Sequence, residues 1–238
     1  MVSLDNEGAG RRGSASPEFI FMLTRDDMTV PDALAVYQQI RDIPGLRYVG
    51  FKDIGLPLPQ LQQLAAAIHD GGHTVMLEVV SLSEADELNS ARGALAIGAD
   101  YLLGGRRAAQ VVPIIAGSRI KYFPFCGETV GHPTRLIGTI EQIVADAIRL
   151  AGMPGVDGLD LLAYRFGGDV ARLTGAVAAA VGVPVIAAGS IDCRERIAAV
   201  DRAGVWGFTV GSAIFDGSFG AGPLPQRVAA VLAAAKRA

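Results

Sequence analysis

The sequence predicts a single (β/α)8 barrel, and three observations lead there. Its 238 residues suit one large α/β domain. Apolar runs of strand length alternate eight times with longer helical segments, at roughly one βα unit of 25 to 30 residues each. Two Gly-Ser turns suited to an anion follow the last two runs. An open doubly wound sheet would instead place its glycine-rich turn after the first strand.

Composition agrees. Half of the residues are hydrophobic and 19% are charged, and the mean hydropathy is +0.36. A buried parallel sheet explains that value, because its strands read as continuous apolar runs. No uncharged apolar run reaches about 18 residues, so no membrane span is expected. The net charge of −3 gives no basic signal for nucleic acid. Cys126 and Cys193 form neither a disulfide framework nor a zinc pattern, and His69, His73 and His132 lack ligand spacing. No metal and no cofactor are expected, and a reducing cytoplasm fits. Residues 1–17 are polar and rich in Gly, Ser and Arg, and read as a disordered tail ahead of a barrel over 18–238. Within that tail, Gly13-Ser14-Ala15-Ser16 has the composition of an engineered linker as much as of a natural one.

The elements follow in order. The first strand is expected over 19–24 and its helix from Pro31, with proline in the first turn. The second strand is 48–52, and its helix over 59–70 stops at Gly71-Gly72. The third is 74–79, with Ser83 and Glu84 opening the helix after it. The fourth strand, 100–104, leads to a helix over 108–116. The fifth, 120–125, is followed by a long glycine-rich loop through His132 and Pro133, then a helix over 139–151. Strands six, seven and eight are expected over 158–164, 184–188 and 206–210, and the last helix over 225–236.

Strands seven and eight carry the functional signal. Val185-Ile186-Ala187-Ala188 ends in Gly189-Ser190, and Phe208-Thr209-Val210 ends in Gly211-Ser212, 22 residues later. Glycine lets the backbone approach an anion, serine adds a hydroxyl, and the free amides of a following short helix point the same way. Adjacent strands would bring both turns over one phosphate.

From Pro184 to Phe215 the chain resembles the ribulose-phosphate-binding barrel superfamily. The layout Val-Ile-Ala-x-Gly, a helix opening on Glu195-Arg196, then Val-Gly-Ser-Ala-Ile is similar to that of its N-acetylmannosamine-6-phosphate 2-epimerase branch. The histidine- and tryptophan-biosynthesis isomerases share the architecture. The resemblance implies a phosphorylated substrate, with Gly167 and Gly168 after strand six completing the phosphate cup. It also implies a catalytic lysine at the end of an early strand, here in the context Phe51-Lys52-Asp53, and a partner acid from a later strand. Glu128 is the nearest candidate for that acid.

The residues themselves also single out Lys52. The chain has 21 basic residues, of which only Lys52, Lys121 and Lys236 are lysines. A lysine can lose its proton when desolvated and so serve as acid, base or Schiff-base amine, which arginine cannot. Lys121, near the start of strand five, faces the opposite end. Glu78 lies in an apolar strand beside strand two, where a buried carboxylate must be paired or functional. Lys52 and Glu78 are the expected catalytic pair, and a plain structural salt bridge is the alternative. Asp26 could supply an acid after strand one. Arg25, Tyr164 and Arg165 follow strands one and six and are candidates for substrate contacts, as are Arg106 and Arg107 after strand four. Cys126 has no histidine placed to activate it, and His132 could belong to a lid.

The expected function is an enzyme on a phosphorylated sugar or sugar acid that moves a proton next to a carbonyl, by isomerisation, epimerisation or aldol cleavage. The alternatives are a non-catalytic phosphometabolite-binding barrel and a flavin-dependent oxidoreductase. The partner expected is the small phosphorylated ligand, with neither nucleic acid nor membrane. The oligomeric state stays open between monomer and homodimer.

Overall fold

The computed structural model describes residues 16–81 and 83–236. The expected tail over 1–17 falls, for residues 1–15, outside them. Eight parallel strands form the barrel: β1 Glu18–Met22, β2 Tyr48–Lys52, β3 Thr74–Val79, β4 Tyr101–Gly104, β5 Lys121–Phe123, β6 Leu159–Leu161, β7 Val185–Ala187 and β8 Gly207–Val210. Around the ring they run β6-β7-β8-β1-β2-β3-β4-β5. A parallel bridge between Phe125 and Asp160 closes the seam, with Asp160 N donating to Pro124 O and Cys126 N to Asp160 O. The expected (β/α)8 barrel is the fold observed.

The helices between strands are α1 Ala33–Ile40, α2 Leu58–Asp70, α3 Glu84–Ile97, α4 Ala108–Ile115, α5 Ile140–Ala151, α6 Val170–Ala180 and α7 Arg194–Arg202. A four-residue helix, α8 Ser212–Phe215, follows β8, and α9 Leu224–Ala235 completes the outer ring. Local sequence explains several starts. Ser83 caps α3 by accepting from Asp86 N, Asp169 caps α6 by accepting from Arg172 N, and Thr139 with Gln142 forms a capping box on α5. None of the helices described is long and apolar enough to cross a membrane.

Two apolar cores result. The larger lies between strands and helices. The smaller fills the barrel with Ile20, Met22, Met76, Leu103, Phe123 and Ile186, over a floor of Tyr48, Tyr101 and Trp206. The Tyr48 ring meets Trp206 edge-on at 5.4 Å between centroids, a favoured geometry. Gly50 is required on β2, because an added Cβ would collide with the Met22 sulfur. Above the apolar plug the inward positions turn polar, and that change marks the open end.

Two expectations change at this end. Strand six stops at Leu161, and Ala163–Arg165 forms a 3-10 turn. The loop expected after strand five is instead an antiparallel hairpin, Glu128–Val130 with Arg135–Ile137. Arg106 Nη1 holds it by donating to Thr129 O at 2.8 Å. Arg106 and Arg107 are thereby engaged with the hairpin and with Glu87. Glu87, only 1% exposed, accepts from both their amides and from Arg107 Nη1, each at 2.7 Å. Glu87→Ala should cost about 3 kcal/mol by stranding these donors. Denaturant unfolding checks this, and a loss below about 1 kcal/mol would show that the β4–α4 turn does not depend on it.

Candidate active site

The site begins with a register. Lys52 on β2 pairs directly with Glu78 on β3, so both side chains point into the barrel at its open end. Lys52 is 5% and Glu78 4% exposed. Their Nζ and Oε2 atoms lie 3.4 Å apart.

A third group comes from the turn after β1. Thr24–Arg25 and Met28–Thr29 form a tight antiparallel hairpin whose turn residues, Asp26 and Asp27, both have positive φ. Thr29 ties the hairpin to β2: its Oγ1 donates to Lys52 O at 2.9 Å and accepts from Lys52 N at 2.8 Å. Asp27 is thereby turned inward and forms a close ion pair with Lys52 Nζ. Its other oxygen accepts from Thr134 N at 3.1 Å, beneath the Glu128–Ile137 hairpin. Arg165 Nη2 lies 3.5 Å from Asp27, and Arg165 Nη1 donates to Thr134 O at 3.3 Å. His132 Nδ1 lies 3.9 Å from Asp27.

The electrostatics follow. Burial alone would lower the Lys52 pKa, but Glu78 and Asp27 outweigh it and hold the amine protonated above its ordinary range. Burial would raise Asp27, but the Lys52 ammonium, the Thr134 amide and Arg165 bring it below the usual carboxylate value. Glu78 is raised, chiefly by burial, with Lys52 offsetting part of that and Asp27 adding to it. On β6 a further carboxyl, Asp160, is completely buried and sits well above its ordinary pKa, from burial and then from Glu78.

One cavity of about 90 Å3 joins these groups to the two turns. Asp27, Lys52, Glu78 and Arg165 line it together with Gly189, Ser190, Gly211 and Ser212. Ser190 has φ +52, an uncommon conformation for a residue with a Cβ. Ser212 Oγ accepts from Asp26 N at 3.3 Å, which leaves its own proton free to donate.

The other candidates lie apart. Gly167 and Gly168 are exposed and do not line the cavity, because the 3-10 turn carries the chain outward after β6. Glu128 is exposed on the hairpin and borders a separate cavity beside α5. Tyr164 donates to Arg196 O at 3.3 Å under the Arg196 guanidinium, away from the cavity. Arg25 is exposed and pairs with Asp216 at 2.7 Å. Asp53 does not meet Lys52; it accepts from Val80 N and from the Ser81 and Ser90 hydroxyls. Cys126 is fully buried and its thiol is pushed far up by burial, so it is no thiolate nucleophile. Lys121 lies at the floor, its ammonium over the Tyr101 ring. Among the described residues no cluster of three or more His, Cys, Asp or Glu could hold a metal ion.

Neither a known protein-family profile nor a curated protein matches the sequence. Solved structures do. Orotidine 5'-phosphate decarboxylase from Pyrococcus horikoshii is 15% identical at a TM-score of 0.63, over 92% of this chain and 99% of that one. This chain is a (β/α)8 barrel. N-(5'-phosphoribosyl)anthranilate isomerase from Pyrococcus furiosus is 16% identical at 0.58, over 93% and 100%. A mandelate oxidase with an FMN adduct is 18% identical at 0.62, over 92% of this chain and 72% of that one. Such distant likeness establishes the fold, while the chemistry has to come from the site.

Proposed function

We propose that this barrel is an enzyme that binds a phosphorylated sugar or sugar acid and moves a proton next to its carbonyl. The observation that carries the reading is the shared cavity: both Gly-Ser turns and the Lys52, Glu78 and Asp27 group open into one space. Neighbouring folds that act on phosphorylated compounds, by their names, support it.

The protonation states favour particular roles. Lys52 lies between two carboxylates and rests as an ammonium, so it acts as the acid. Glu78 lines the cavity with a raised pKa, which suits a base near neutrality. Asp27 stays ionised and fixes Lys52, Thr134 and Arg165. In the reaction Glu78 takes the proton from the carbon beside the carbonyl. The C–H electron pair moves into the carbonyl, and the oxygen accepts a proton from Lys52. Return of the proton to either carbon, or to the other face, gives isomerisation or epimerisation. A Schiff base would first require Lys52 as the free amine, which its two partners oppose.

A thermal-shift screen with inorganic phosphate and a panel of sugar phosphates tests the reading, because a ligand of the native state raises its stability. Turnover of a hit that survives Lys52→Ala would overturn the catalytic role, and a hit without turnover would leave a binding barrel. Borohydride treatment with that hit should leave Lys52 unmodified, and a trapped adduct at Lys52 would establish aldolase-type chemistry instead. An absorbance spectrum of the purified protein identifies a flavin if one is bound.

A further inference from the structure

Asp160 has no part in the reaction as drawn, yet it is the most deeply buried acid of the barrel. It projects from β6 at the seam with β5, and neither carboxyl oxygen has a hydrogen-bond partner among the described residues. Its backbone is fully engaged with Pro124 and Cys126. It lies close enough to Glu78 and Lys52 to feel both charges, but it does not line the cavity.

A bare carboxylate with no donor is not tolerated in such a place. The buried cluster holds two permanent cations, Lys52 and Arg165, against three carboxyls, Asp27, Glu78 and Asp160, with the exposed His132 ring 3.9 Å from Asp27 at its rim. Lys52 contacts Asp27 and Glu78, and Arg165 contacts Asp27. No cation reaches Asp160. One proton therefore has to reside on the carboxyls, and the group without a donor is where it costs least.

We propose that Asp160 is a positioning residue of the site, an undissociated acid that carries the one proton of the buried carboxyl group and so leaves Glu78 ionised as the base. The claim rests on the assignment of Glu78 above. The titratable groups around Asp160 are Glu78 from β3, Lys52 from β2 and Cys126 just past β5, with Asp27 and Arg165 behind Lys52. Glu78 and Asp160 then titrate as a pair rather than as independent groups. Asp160, the member without a donor, keeps the shared proton, so Glu78 is available as a base while Asp160 stays undissociated.

Infrared spectroscopy of the ligand-free protein, isotope-labelled at the aspartate carboxyls, tests this without any substitution. At neutral pH the spectrum should contain the carbonyl stretch of an undissociated acid, and that band should shift with the label. It should be missing from Asp160→Asn. An absent band, or one that the aspartate label leaves in place, overturns the proposal. A second measurement uses linkage. Asp160 has a raised pKa when folded, so its contribution to stability is present below the unfolded value and lost as pH rises. Asp160→Asn is neutral throughout, so its folding equilibrium should gain on the wild type by up to about tenfold per pH unit from about pH 5 towards 8. A constant difference overturns the proposal, since an Asp160 already ionised in the folded protein would give no such slope. Inorganic phosphate binding, measured on both proteins, reports separately on the function: its loss in the wild type sinks that reading and leaves the infrared result standing.

Discussion

Replacing Lys52 by methionine should cost about 3–5 kcal/mol of stability and slow turnover sharply. Methionine keeps much of the side-chain length. It leaves Asp27 and Glu78, each 5% exposed at the side chain, without their shared cation. The cost should depend on pH with a definite sign. In the wild type Asp27 has a lowered pKa, so its contribution to stability is present above the unfolded value and is lost as pH falls through the folded one. In the variant the burial of both carboxyls is unopposed by Lys52, their folded values rise, and stability is lost as pH increases. The two proteins should therefore converge in acid and diverge towards neutrality. Urea unfolding across that range measures the gap, and a gap below about 1 kcal/mol at neutral pH, or one that ignores pH, removes Lys52 from the centre of the cluster. On a substrate found by the phosphate screen, losing the acid should slow turnover by about 10²–10⁴-fold. Lys52→Arg separates the two effects: it restores the cation but cannot easily release a proton, so fold should recover more than rate.

The barrel was legible because a buried parallel sheet writes itself as apolar runs, and eight of them leave little choice of architecture. The pairing of Lys52 with Glu78 was legible for a related reason: both end neighbouring strands, and the register places them side by side. Asp27 was missed by one residue. Asp26 is the position nearer the strand, but the tight hairpin with positive φ at both turn residues sends Asp26 out and Asp27 in. That reversal is turn geometry, which periodicity does not encode. Asp160 carried a usable signal, since the reasoning that singled out Glu78, a carboxylate within an apolar strand, applies equally to Leu159-Asp160-Leu161. Glu128 and the Gly167-Gly168 pair were drawn in by analogy of position. The hairpin over 128–137 and the 3-10 turn over 163–165 place them elsewhere, and both features depend on tertiary contacts such as the bridge between Leu136 and Phe166.

Gly189→Ala should weaken inorganic phosphate binding by about 100-fold or more, the largest effect expected on binding. Two causes add. Gly189 has φ +80, where an L-residue costs about 1–2 kcal/mol. The new Cβ would also lie 2.5 Å from Arg165 Cγ, so the arginine side chain has to leave its place. It would then lose Asp27 and Thr134, and the cavity would lose the cation between the turns and Lys52. The serine hydroxyls are smaller contributors. Ser190→Ala or Ser212→Ala removes one hydrogen bond to a charged group, about 1.5–3 kcal/mol, or roughly tenfold to a hundredfold in affinity. Arg165→Ala resolves the two causes in Gly189→Ala, because it removes the cation and leaves the turn unstrained. Calorimetric titration with phosphate ranks the four variants. If Arg165→Ala alone matches Gly189→Ala, the guanidinium accounts for the affinity. If it stays near wild type while Gly189→Ala fails, the backbone turn does. Wild-type affinity in Gly189→Ala would place the anion somewhere other than between β7 and β8.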